Sequence, residues 1–239
     1  MKKKVKFGII ISSSNTVLEP EFNLISPKDI GIYVSRVLQR KPTIEEIKLT
    51  LEYAKRAGEE LSTAQIDLIL YAITIGSVVI GQEWENKFIN ELNEKTRVNS
   101  ITTAGSVVKA LKRLEVKKII ILTPYTQEMN QLEKIFIEKS GIEVLDIKGL
   151  NGKSVIEIGG IEDKIVYENS LELFNRHFNK AQAIFISCTN LNTFEIISKL
   201  ESKIKIPVIT SNQASFWNLI RTYGDQRKIY GYGTLLENY

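Results

Sequence analysis

The single cysteine of this chain stands where a thiol could do acid–base or nucleophilic chemistry. Cys188 follows the apolar run 183–187 (Ala-Ile-Phe-Ile-Ser), and apolar residues recur at helical spacing over 194–200. This pattern predicts a strand-to-helix turn at the carboxyl edge of an open parallel sheet, where ligands bind. We expect the amino end of the following helix to favour the thiolate form of Cys188. A buried cysteine that only packs is the competing interpretation, since free cysteines are usually of that kind.

Three more polar turns follow apolar runs and could bind an anion. They lie at 12–16 (Ser-Ser-Ser-Asn-Thr), 74–77 (Thr-Ile-Gly-Ser) and 123–126 (Thr-Pro-Tyr-Thr). Their hydroxyls and backbone N–H groups, close to predicted helix amino ends, can hold an anion without a metal. In each half of the chain about sixty residues separate the first turn from the second, which suggests an internal duplication. We therefore expect the four turns to meet in one cleft.

The sequence contains no pattern for a metal or a cofactor. Potential metal ligands are not grouped at ligand spacing, and neither a Gly-x-Gly-x-x-Gly segment nor a Gly-rich loop ending in Lys-Ser/Thr occurs. The only histidine, His177, is interpreted as a surface residue of a helix. Trp84 and Trp217 lie among helical apolar residues, so we expect both in the core. Glu19 and Glu21 flank a proline, and a solvated loop is favoured there over an acid–base pair.

Composition favours a globular protein of the cytoplasm. The chain has 239 residues, 43% of them hydrophobic, and a net charge of +4. Its lysines and arginines are scattered through every segment, which argues against a nucleic-acid surface. The longest apolar stretch, 66–81, is broken by polar residues, so no membrane span is predicted, and the N-terminal lysines precede an apolar run too short for a signal peptide. One cysteine excludes an internal disulfide and fits a reducing compartment.

Strands alternate with helices along the chain, which predicts parallel sheets with helices on both faces. The pattern restarts halfway and predicts an α/β fold of two pseudo-symmetric Rossmann-like lobes, each with a mostly parallel sheet flanked by helices. The active site is expected in the cleft between them. The first lobe is predicted over 1–112, completed by 211–239, and the second, which carries Cys188, over 113–210. The predicted strands are 5–11, 66–73, 98–102, 117–122, 142–147 and 183–187, and the predicted helices are 43–57, 85–94, 104–114, 128–139 and 165–178.

Five short motifs in a fixed order resemble the aspartate/glutamate racemase superfamily, in its maleate isomerase and arylmalonate decarboxylase branch. The resemblance covers nearly the whole chain. It implies two pseudo-symmetric lobes, a small carboxylate substrate held between them and no cofactor, and a homo-oligomer is a possible assembly. The motifs are Ser13-Ser14-Asn15-Thr16 with Glu19-Pro20-Glu21, Thr74-x-Gly76-Ser77, Thr123-Pro124-Tyr125-Thr126 with Asn130, Ser187-Cys188-Thr189-Asn190, and Thr210-Ser211-Asn212-Gln213-Ala214 with Phe216-Trp217.

The resemblance also implies roles for particular residues. Hydroxyls and backbone amides are implied to hold a substrate carboxylate, and Cys188 is implied to protonate a carbanion. An enediolate carries negative charge on two oxygens, and donors already in place there are usually the largest catalytic contribution. The residues implied for the carboxylate are Thr74, the amide of Ile75, Tyr125 and the amide of Thr189, the implied substrate asparagine is Asn15, and the predicted pocket wall is Ile73, Ser13, Gly76 and Ser77.

One departure separates the reactions within this branch. The resemblance implies a second cysteine in the first lobe of racemases and maleate isomerases, and this chain has Ile73 there. The decarboxylases also keep only the second-lobe cysteine, since decarboxylation delivers one proton to one face. However, the decarboxylases have a small residue at this position, and the loop 13–21 resembles that of an isomerase. The resemblance to isomerases also implies a second substrate asparagine, besides Asn15, around 151–159, and we could not place it there.

Three functions therefore stay open. Decarboxylation of a malonate-type acid is narrowly favoured, with Cys188 as the single acid or base. A maleate-type cis–trans isomerase would need a different nucleophile from the missing first-lobe cysteine. The third alternative is a relative that binds a carboxylate without catalysis.

Overall fold

Two four-stranded parallel sheets form the framework of the protein, as described over residues 4–239 by a computed structural model. The strands are β1 (Val5–Ser12), β2 (Ile30–Val37), β3 (Leu68–Tyr71), β4 (Ser100–Thr102), β5 (Lys118–Thr123), β6 (Glu143–Gly149), β7 (Ala183–Ile186) and β8 (Val208–Thr210). Their order is β2-β1-β3-β4 in the first sheet and β6-β5-β7-β8 in the second. This equivalent order confirms the predicted α/β fold of two pseudo-symmetric halves. Residues 1–3 of the N-terminal lysine run, on which the signal-peptide argument depended, lie outside the described residues.

Helices cover the faces of both sheets and connect successive strands. Within residues 4–239, no helix has the length and apolar character needed to cross a membrane. The helices are α1 (Leu18–Ile25), α2 (Ile44–Ser62), α3 (Thr74–Thr96), α4 (Thr103–Arg113), α5 (Gln127–Glu138), α6 (Val155–Gly159), α7 (Asp163–Arg176), α8 (Phe194–Ile204), α9 (Ser211–Tyr223) and α10 (Thr234–Asn238).

The central strand of each sheet is buried on both faces, as expected where helices cover a parallel sheet. β1 lies between β2 and β3, and β5 has the same place between β6 and β7. Residues 9–11 of β1 and 119–122 of β5 are fully buried. Because all strands of a parallel sheet end at the same edge, the polar segments after β1, β3, β5 and β7 come together between the sheets.

The segment 74–77 is the first turn of a helix and not the predicted loop. α3 begins at Thr74 and bends at Gly81, whose φ is 77°, so the predicted helix 85–94 is only its second part. Glycine adopts this left-handed backbone without steric cost. The N–H groups at the start of a helix have no acceptor inside it. The start of α3 therefore provides N–H groups at the edge of the first sheet where an anion site is predicted.

Some side chains lie in surroundings other than those predicted. Glu21 belongs to α1 and is only 7% exposed, although a solvated loop was predicted there. Pro20 does not prevent this helix, because proline is tolerated in the first turn. Trp84 is 61% exposed, so the core prediction is wrong for it, whereas Trp217 is 3% exposed as predicted. His177 ends α7 and its Nε2 lies 3.0 Å from a carboxylate oxygen of Asp146.

Helix α9, which follows the last strand, returns to the first sheet. It packs on α4, where the hydroxyls of Thr103 and Ser215 share a hydrogen bond of 2.8 Å. Asn218 Nδ2 donates to Ser106 Oγ in the same interface, at 2.9 Å. These contacts agree with 211–239 as the segment that completes the first lobe. The exact bounds of the two domains stay a prediction.

Candidate active site

A small cavity lies between the two sheets at the carboxyl ends of their strands. Its volume is about 40 Å³. A single water needs about 10–15 Å³ on this measure, so the cavity has room for roughly three water-sized groups. The predicted site residues that line it are Asn15, Ile73, Thr74, Ile75, Tyr125, Cys188 and Thr189. The fold thus brings together residues from four separate segments, and their catalytic and binding roles stay predictions.

Three residues predicted for the pocket wall do not line the cavity. Ser13 Oγ accepts from the backbone N–H of Gln39 at 3.2 Å, so it supports a neighbour that does line it. A Cβ on Gly76 would lie 2.3 Å from the hydroxyl oxygen of Tyr71, which shows that Gly76 faces the sheet beneath. Ser77 is buried, with 1% of its surface exposed. The Thr-x-Gly-Ser motif forms one turn of α3, and its last two residues do not line the cavity.

Cys188 sits in a strained backbone conformation directly after β7. Its φ is 118°, a region that residues with a Cβ rarely adopt. Such strain costs on the order of 1–3 kcal/mol, persists only where the surroundings impose it and is concentrated at functional sites. Two hydrogen bonds impose it here. The N–H of Cys188 donates to Ser211 Oγ at 3.0 Å, and the N–H of Asn190 donates to the thiol sulfur at 3.3 Å.

The thiol of Cys188 is protonated at neutral pH, contrary to the thiolate expected from its position in the sequence. Burial raises its pKa to about 11, against smaller opposing effects from the N–H of Asn190 and the hydroxyl of Tyr125. The next helix cannot reverse this, because α8 begins only at Phe194, several residues further along the chain. A helix dipole acts within its first turn and is too remote here. Cys188 is therefore suited to donate a proton and poorly suited to act as a nucleophile.

Tyr125 brings a second neutral donor to the thiol. It is 5% exposed, and its hydroxyl is close enough to Cys188 to lower the pKa of the thiol. Burial first, and then the neighbouring Cys188 and Glu133, hold the pKa of Tyr125 well above its usual range. The hydroxyl consequently keeps its proton throughout the neutral range. Its place in the lining of the cavity, which Cys188 shares, suits a group that stabilises negative charge on a bound acid.

Backbone N–H groups face the cavity from both sheets. Ile75 is the second residue of α3, so its N–H has no acceptor within the helix, and the positive end of the helix dipole is directed at the cavity. Across the cavity, the N–H of Thr189 has no protein acceptor within residues 4–239. The hydroxyl of Thr74 donates to Ser211 Oγ at 3.1 Å. The N–H groups of Ile75 and Thr189 are thus the donors left for an anion, whereas the hydroxyl proton of Thr74 is engaged by Ser211, and the binding of a carboxylate here stays a prediction.

Asn15 and Thr189 connect the two halves across the site. Asn15 Nδ2 donates to Thr189 Oγ1 at 3.1 Å, and Thr189 Oγ1 donates to the carbonyl of Ala72 at 3.0 Å. Asn15 Oδ1 accepts from the N–H groups of Val17 and Leu18, both at 3.0 Å, and so caps the start of α1. The amide nitrogen of Asn15 carries a second N–H, for which residues 4–239 supply no acceptor. A substrate contact from Asn15 would therefore not have to replace its bond to Thr189, and this contact stays a prediction.

A buried carboxyl holds the two halves together next to this site. Glu21 Oε1 accepts from the N–H groups of Thr193 and Phe194 at 2.7 and 3.0 Å, which caps α8 from the opposite half of the molecule. Its other oxygen accepts from Asn212 Nδ2 at 2.6 Å. Burial raises the pKa of Glu21 to about 7, against these hydrogen bonds. Glu21 borders a surface groove of about 750 Å³ rather than the small cavity, so it is a structural carboxyl.

Apolar side chains form part of the remaining wall of the cavity, beside the polar Ser12, Gln39 and Asn190. Ile73 and Met129 contribute to the apolar part, and Val155 and Ile158 come from α6. Ile73 is 5% exposed and lines the same cavity as Cys188, and its predicted place opposite the thiol stays a prediction. Asn151, the asparagine of the segment 151–159, does not line the cavity.

Two residues near the thiol were not predicted individually. Ser211 lies within a recognised motif, but only the fold shows that its hydroxyl accepts from both Thr74 and the N–H of Cys188. Glu133 is buried beneath the site. A helical pattern could have found it, because Glu133 falls on the face of α5 that carries Met129 and Phe136. No group of three or more His, Cys, Asp or Glu within the described residues could hold a metal ion.

Comparisons with known proteins agree with this architecture. The model of the arylmalonate decarboxylase family matches residues 47–236. The maleate isomerase of Geobacillus stearothermophilus is 25% identical over 99% of this chain and 98% of its own, and the arylmalonate decarboxylase of Bordetella bronchiseptica is 26% identical over 61% of each. The crystal structure of maleate isomerase Iso from Pseudomonas putida S16 has a TM-score of 0.92 at 23% identity, covering 98% of both chains, which shows a common fold. The resemblance seen in the motifs is thus confirmed, and this chain belongs to the arylmalonate decarboxylase family.

Proposed function

We propose that this protein is a cofactor-independent decarboxylase of a small malonate-type acid, with Cys188 as its proton donor. The observation that supports the proposal is that one buried, protonated thiol shares the cavity with the apolar Ile73, at the position where a second reactive group would be needed. Decarboxylation needs one acid on one face of the carbanion, and it needs no partner on the opposite face. Racemisation and cis–trans isomerisation both need a second reactive group there.

The cavity suits the two carboxylates of a malonate differently. One carboxylate is held by the N–H groups of Ile75 and Thr189 and by the hydroxyl of Tyr125. The second carboxylate lies against the apolar wall around Ile73 and Val155, where it receives no hydrogen bond. Poor solvation raises the energy of that carboxylate and favours its departure as neutral CO₂.

The bond to the departing carboxyl carbon then breaks, and its electron pair passes to the α-carbon and the retained carboxylate as an enediolate. Donors that bind this enediolate better than the ground state lower the barrier, each by about 2.7–4 kcal/mol in comparable oxyanion holes. Cys188 donates its proton to the α-carbon, and the resulting thiolate accepts a hydrogen bond from Tyr125. A proton from solvent restores the thiol, so the net reaction consumes one proton for each CO₂ released.

The size of the cavity supports a substrate of few carbon atoms. Drug-sized ligands occupy pockets of about 300–1,000 Å³. A cavity of about 40 Å³ has to open for any malonate, and it has to open considerably further for an aryl group. We therefore place an alkyl-substituted malonate ahead of an arylmalonate as the preferred substrate.

The test is incubation of the purified protein with malonate, methylmalonate, phenylmalonate and maleate in deuterated water, followed by proton NMR. The expected result is propionate from methylmalonate, with one deuteron at the α-carbon. Cys188→Ala should bind the acid in a thermal-shift assay and release no CO₂. If the wild type binds these acids and converts none of them, the proposed catalytic activity is refuted, and a protein that binds a carboxylate without catalysis is favoured.

A maleate-type cis–trans isomerase is the second candidate. It is favoured by the similarity to maleate isomerases over nearly the full chain and by Asn15 at the cavity. Against this function, the chain has Ile73 where a nucleophile is needed, so a different group would have to act as the nucleophile. Fumarate as the product from maleate in the same NMR experiment would establish it in place of the decarboxylase.

A further inference from the structure

A buried carboxyl lies directly behind the residue that precedes Cys188. Glu133 on α5 is 1% exposed, and Ser187 Oγ donates to its Oε1 at 2.5 Å. Its second oxygen, Oε2, has no hydrogen-bond partner within residues 4–239. Buried side-chain oxygens are rarely left in this state, because an unmade hydrogen bond costs free energy. An unpartnered carboxyl oxygen next to the reacting thiol therefore requires an explanation.

The surroundings of Glu133 do not compensate its charge. Within the described residues no lysine or arginine forms an ion pair with it, and the titratable groups that face it are Tyr125 and Cys188. Both of those groups would be made less acidic by a negative charge on Glu133. Burial raises the pKa of Glu133 itself to about 7, so its proton can leave or return near neutral pH. A residue that only fills space would be better served by an uncharged side chain, because ionising a buried carboxyl without a partner costs free energy.

Two hydroxyl groups could carry a proton from Glu133 to the thiol. Ser187 Oγ is hydrogen-bonded to Glu133, and the hydroxyl of Tyr125 is close enough to Ser187 and to Cys188 to be affected by both. Each intermediate hydroxyl can accept one proton while it donates another. When Glu133 is protonated, every donor in this series can be directed toward the sulfur. When Glu133 is ionised, the hydroxyl of Ser187 turns toward it and the series is broken.

We propose that Glu133 is a positioning residue and buried proton reservoir that restores the thiol of Cys188 through Ser187 and Tyr125. The inference rests on the proposed function of Cys188 as a proton donor. After the thiol has protonated the α-carbon, Tyr125 passes its proton to the thiolate, Ser187 passes one to Tyr125, and Glu133 passes one to Ser187. The O–H bond of Glu133 breaks and an S–H bond forms. The resulting Glu133 carboxylate regains a proton from solvent before the next turnover.

The single cysteine of the chain permits a direct test. Protein labelled with carbon-13 at the cysteine β-carbon gives one cysteine resonance, whose shift responds to the charge and hydrogen bonding of the thiol. In the wild type we expect this resonance to titrate with an inflection near pH 7, well below the pKa of the thiol itself. Glu133→Gln should remove the inflection, because the amide keeps the shape of the side chain and cannot ionise.

Glu85→Gln is the matched control. Glu85 is also buried, and its Oε1 also accepts a hydrogen bond of 2.5 Å, from Thr102, but it does not face the thiol. This variant should keep the inflection. An inflection that survives in Glu133→Gln, or that is absent from the wild type, would overturn the proposal. Glu21 lies next to this site and burial raises its pKa to about 7 as well, so Glu21→Gln is measured beside the wild type. Loss of the inflection in Glu21→Gln would overturn the proposal, which keeps the test decisive even if Glu133→Gln fails to fold.

Turnover supplies a second and separate readout. A direct general acid contributes on the order of 10²–10⁴-fold, and a residue acting through two hydroxyls should contribute less. We expect Glu133→Gln to lower kcat by roughly tenfold, to leave KM unchanged and to remove the fall in kcat above pH 7. If the wild type turns over no acid, the proposed function fails while the cysteine titration still judges the coupling of Glu133 to the thiol. An unchanged pH profile of kcat in Glu133→Gln would reject the reservoir.

Discussion

Replacing Ile73 with cysteine tests how the first half of the site is built. Ile73 is the residue immediately before α3, with an extended backbone (φ −126°, ψ 92°) that cysteine adopts readily. A thiol at this position lies at the amino end of a real helix, in contrast to Cys188, whose following helix starts further away. Thiols at helix amino ends have pKa values of about 3.5–7.5. The two thiols of Ile73→Cys should therefore differ strongly in reactivity although they line one cavity.

The size of that difference can be worked out. At pH 7 a thiol with a pKa of about 11 is ionised to about one part in 10⁴, whereas one with a pKa of about 7.5 is about one quarter ionised. The gain in thiolate is therefore on the order of 10³-fold. The lower nucleophilicity of the more acidic thiolate reduces this by roughly 40-fold, for a Brønsted slope of about 0.4–0.5. The new thiol should react with iodoacetamide on the order of fifty times faster than Cys188.

The same change has a cost in stability. Ile73 is 5% exposed, and the shorter side chain removes buried carbon atoms and leaves space behind. We expect a loss of about 1–3 kcal/mol, which corresponds to a Tm lower by about 2–12 °C for a chain of this size. Ile73→Ser, which has similar bulk and no thiol, is the control for this loss.

Peptide mass spectrometry after timed alkylation measures the two rates separately. The functional consequence is a second acid–base group opposite Cys188, so the variant should exchange the α-proton of a bound 2-methyl carboxylic acid with loss of optical purity, and Ile73→Ser should not. Equal labelling rates for the two thiols would refute the assignment of Ile73 to the helix end. A variant that binds acids, labels fast and shows no new exchange would refute the placement of Ile73 opposite Cys188.

Three further predictions concern other parts of the molecule. Tyr125→Phe should slow decarboxylation by about 2.7–4 kcal/mol in activation free energy while ground-state binding weakens much less, and steady-state kinetics with calorimetry would separate the two; an unchanged rate would make Tyr125 a packing residue. Burial raises the pKa of Glu21 from 4.5 to about 7, so between these values the folded state holds a proton that the unfolded state has lost, and stability falls as pH rises through that window, by up to about 3 kcal/mol. Urea unfolding from pH 4.5 to 8 should show this slope, and Glu21→Gln should remove the part due to Glu21 and leave the part due to Glu133, whose pKa burial also raises to about 7; a stability that rises over this range would contradict the prediction. Gly76→Ala should destabilise the protein by about 1–3 kcal/mol, because its Cβ would overlap Tyr71; thermal unfolding as stable as wild type would disprove the packing argument.

The sequence by itself determined the class of fold and the segments that form the site. The apolar runs that became β1, β5 and β7 are recognisable because a strand buried on both faces is apolar at nearly every position. The polar turns after them are equally local features. Order along the chain, together with the rule that parallel strands end at one edge, was sufficient to bring Asn15, Thr74, Tyr125 and Cys188 together.

Elements with mixed exposure were harder to predict. β2 lies at the edge of the first sheet, where exposed and buried residues do not alternate regularly, and its pattern differs little from that of a loop. The helical start of α3 was taken for a loop because Thr74 and Gly76 are typical turn residues. Their true place depends on Tyr71, which fills the space that a side chain at position 76 would need.

Only the tertiary structure decided the chemical state of the site. The acidity of a thiol or carboxyl depends on solvent access and on the neighbours that surround it, and these come from distant parts of the chain. Burial makes Cys188 a proton donor, whereas its sequence position suggested a thiolate. Glu21 and Glu133 look like surface residues in the sequence and are buried in the fold, one as a cap on α8 and the other behind the thiol. The strain at Cys188 has the same origin, since Ser211, far along the chain, holds its backbone in place.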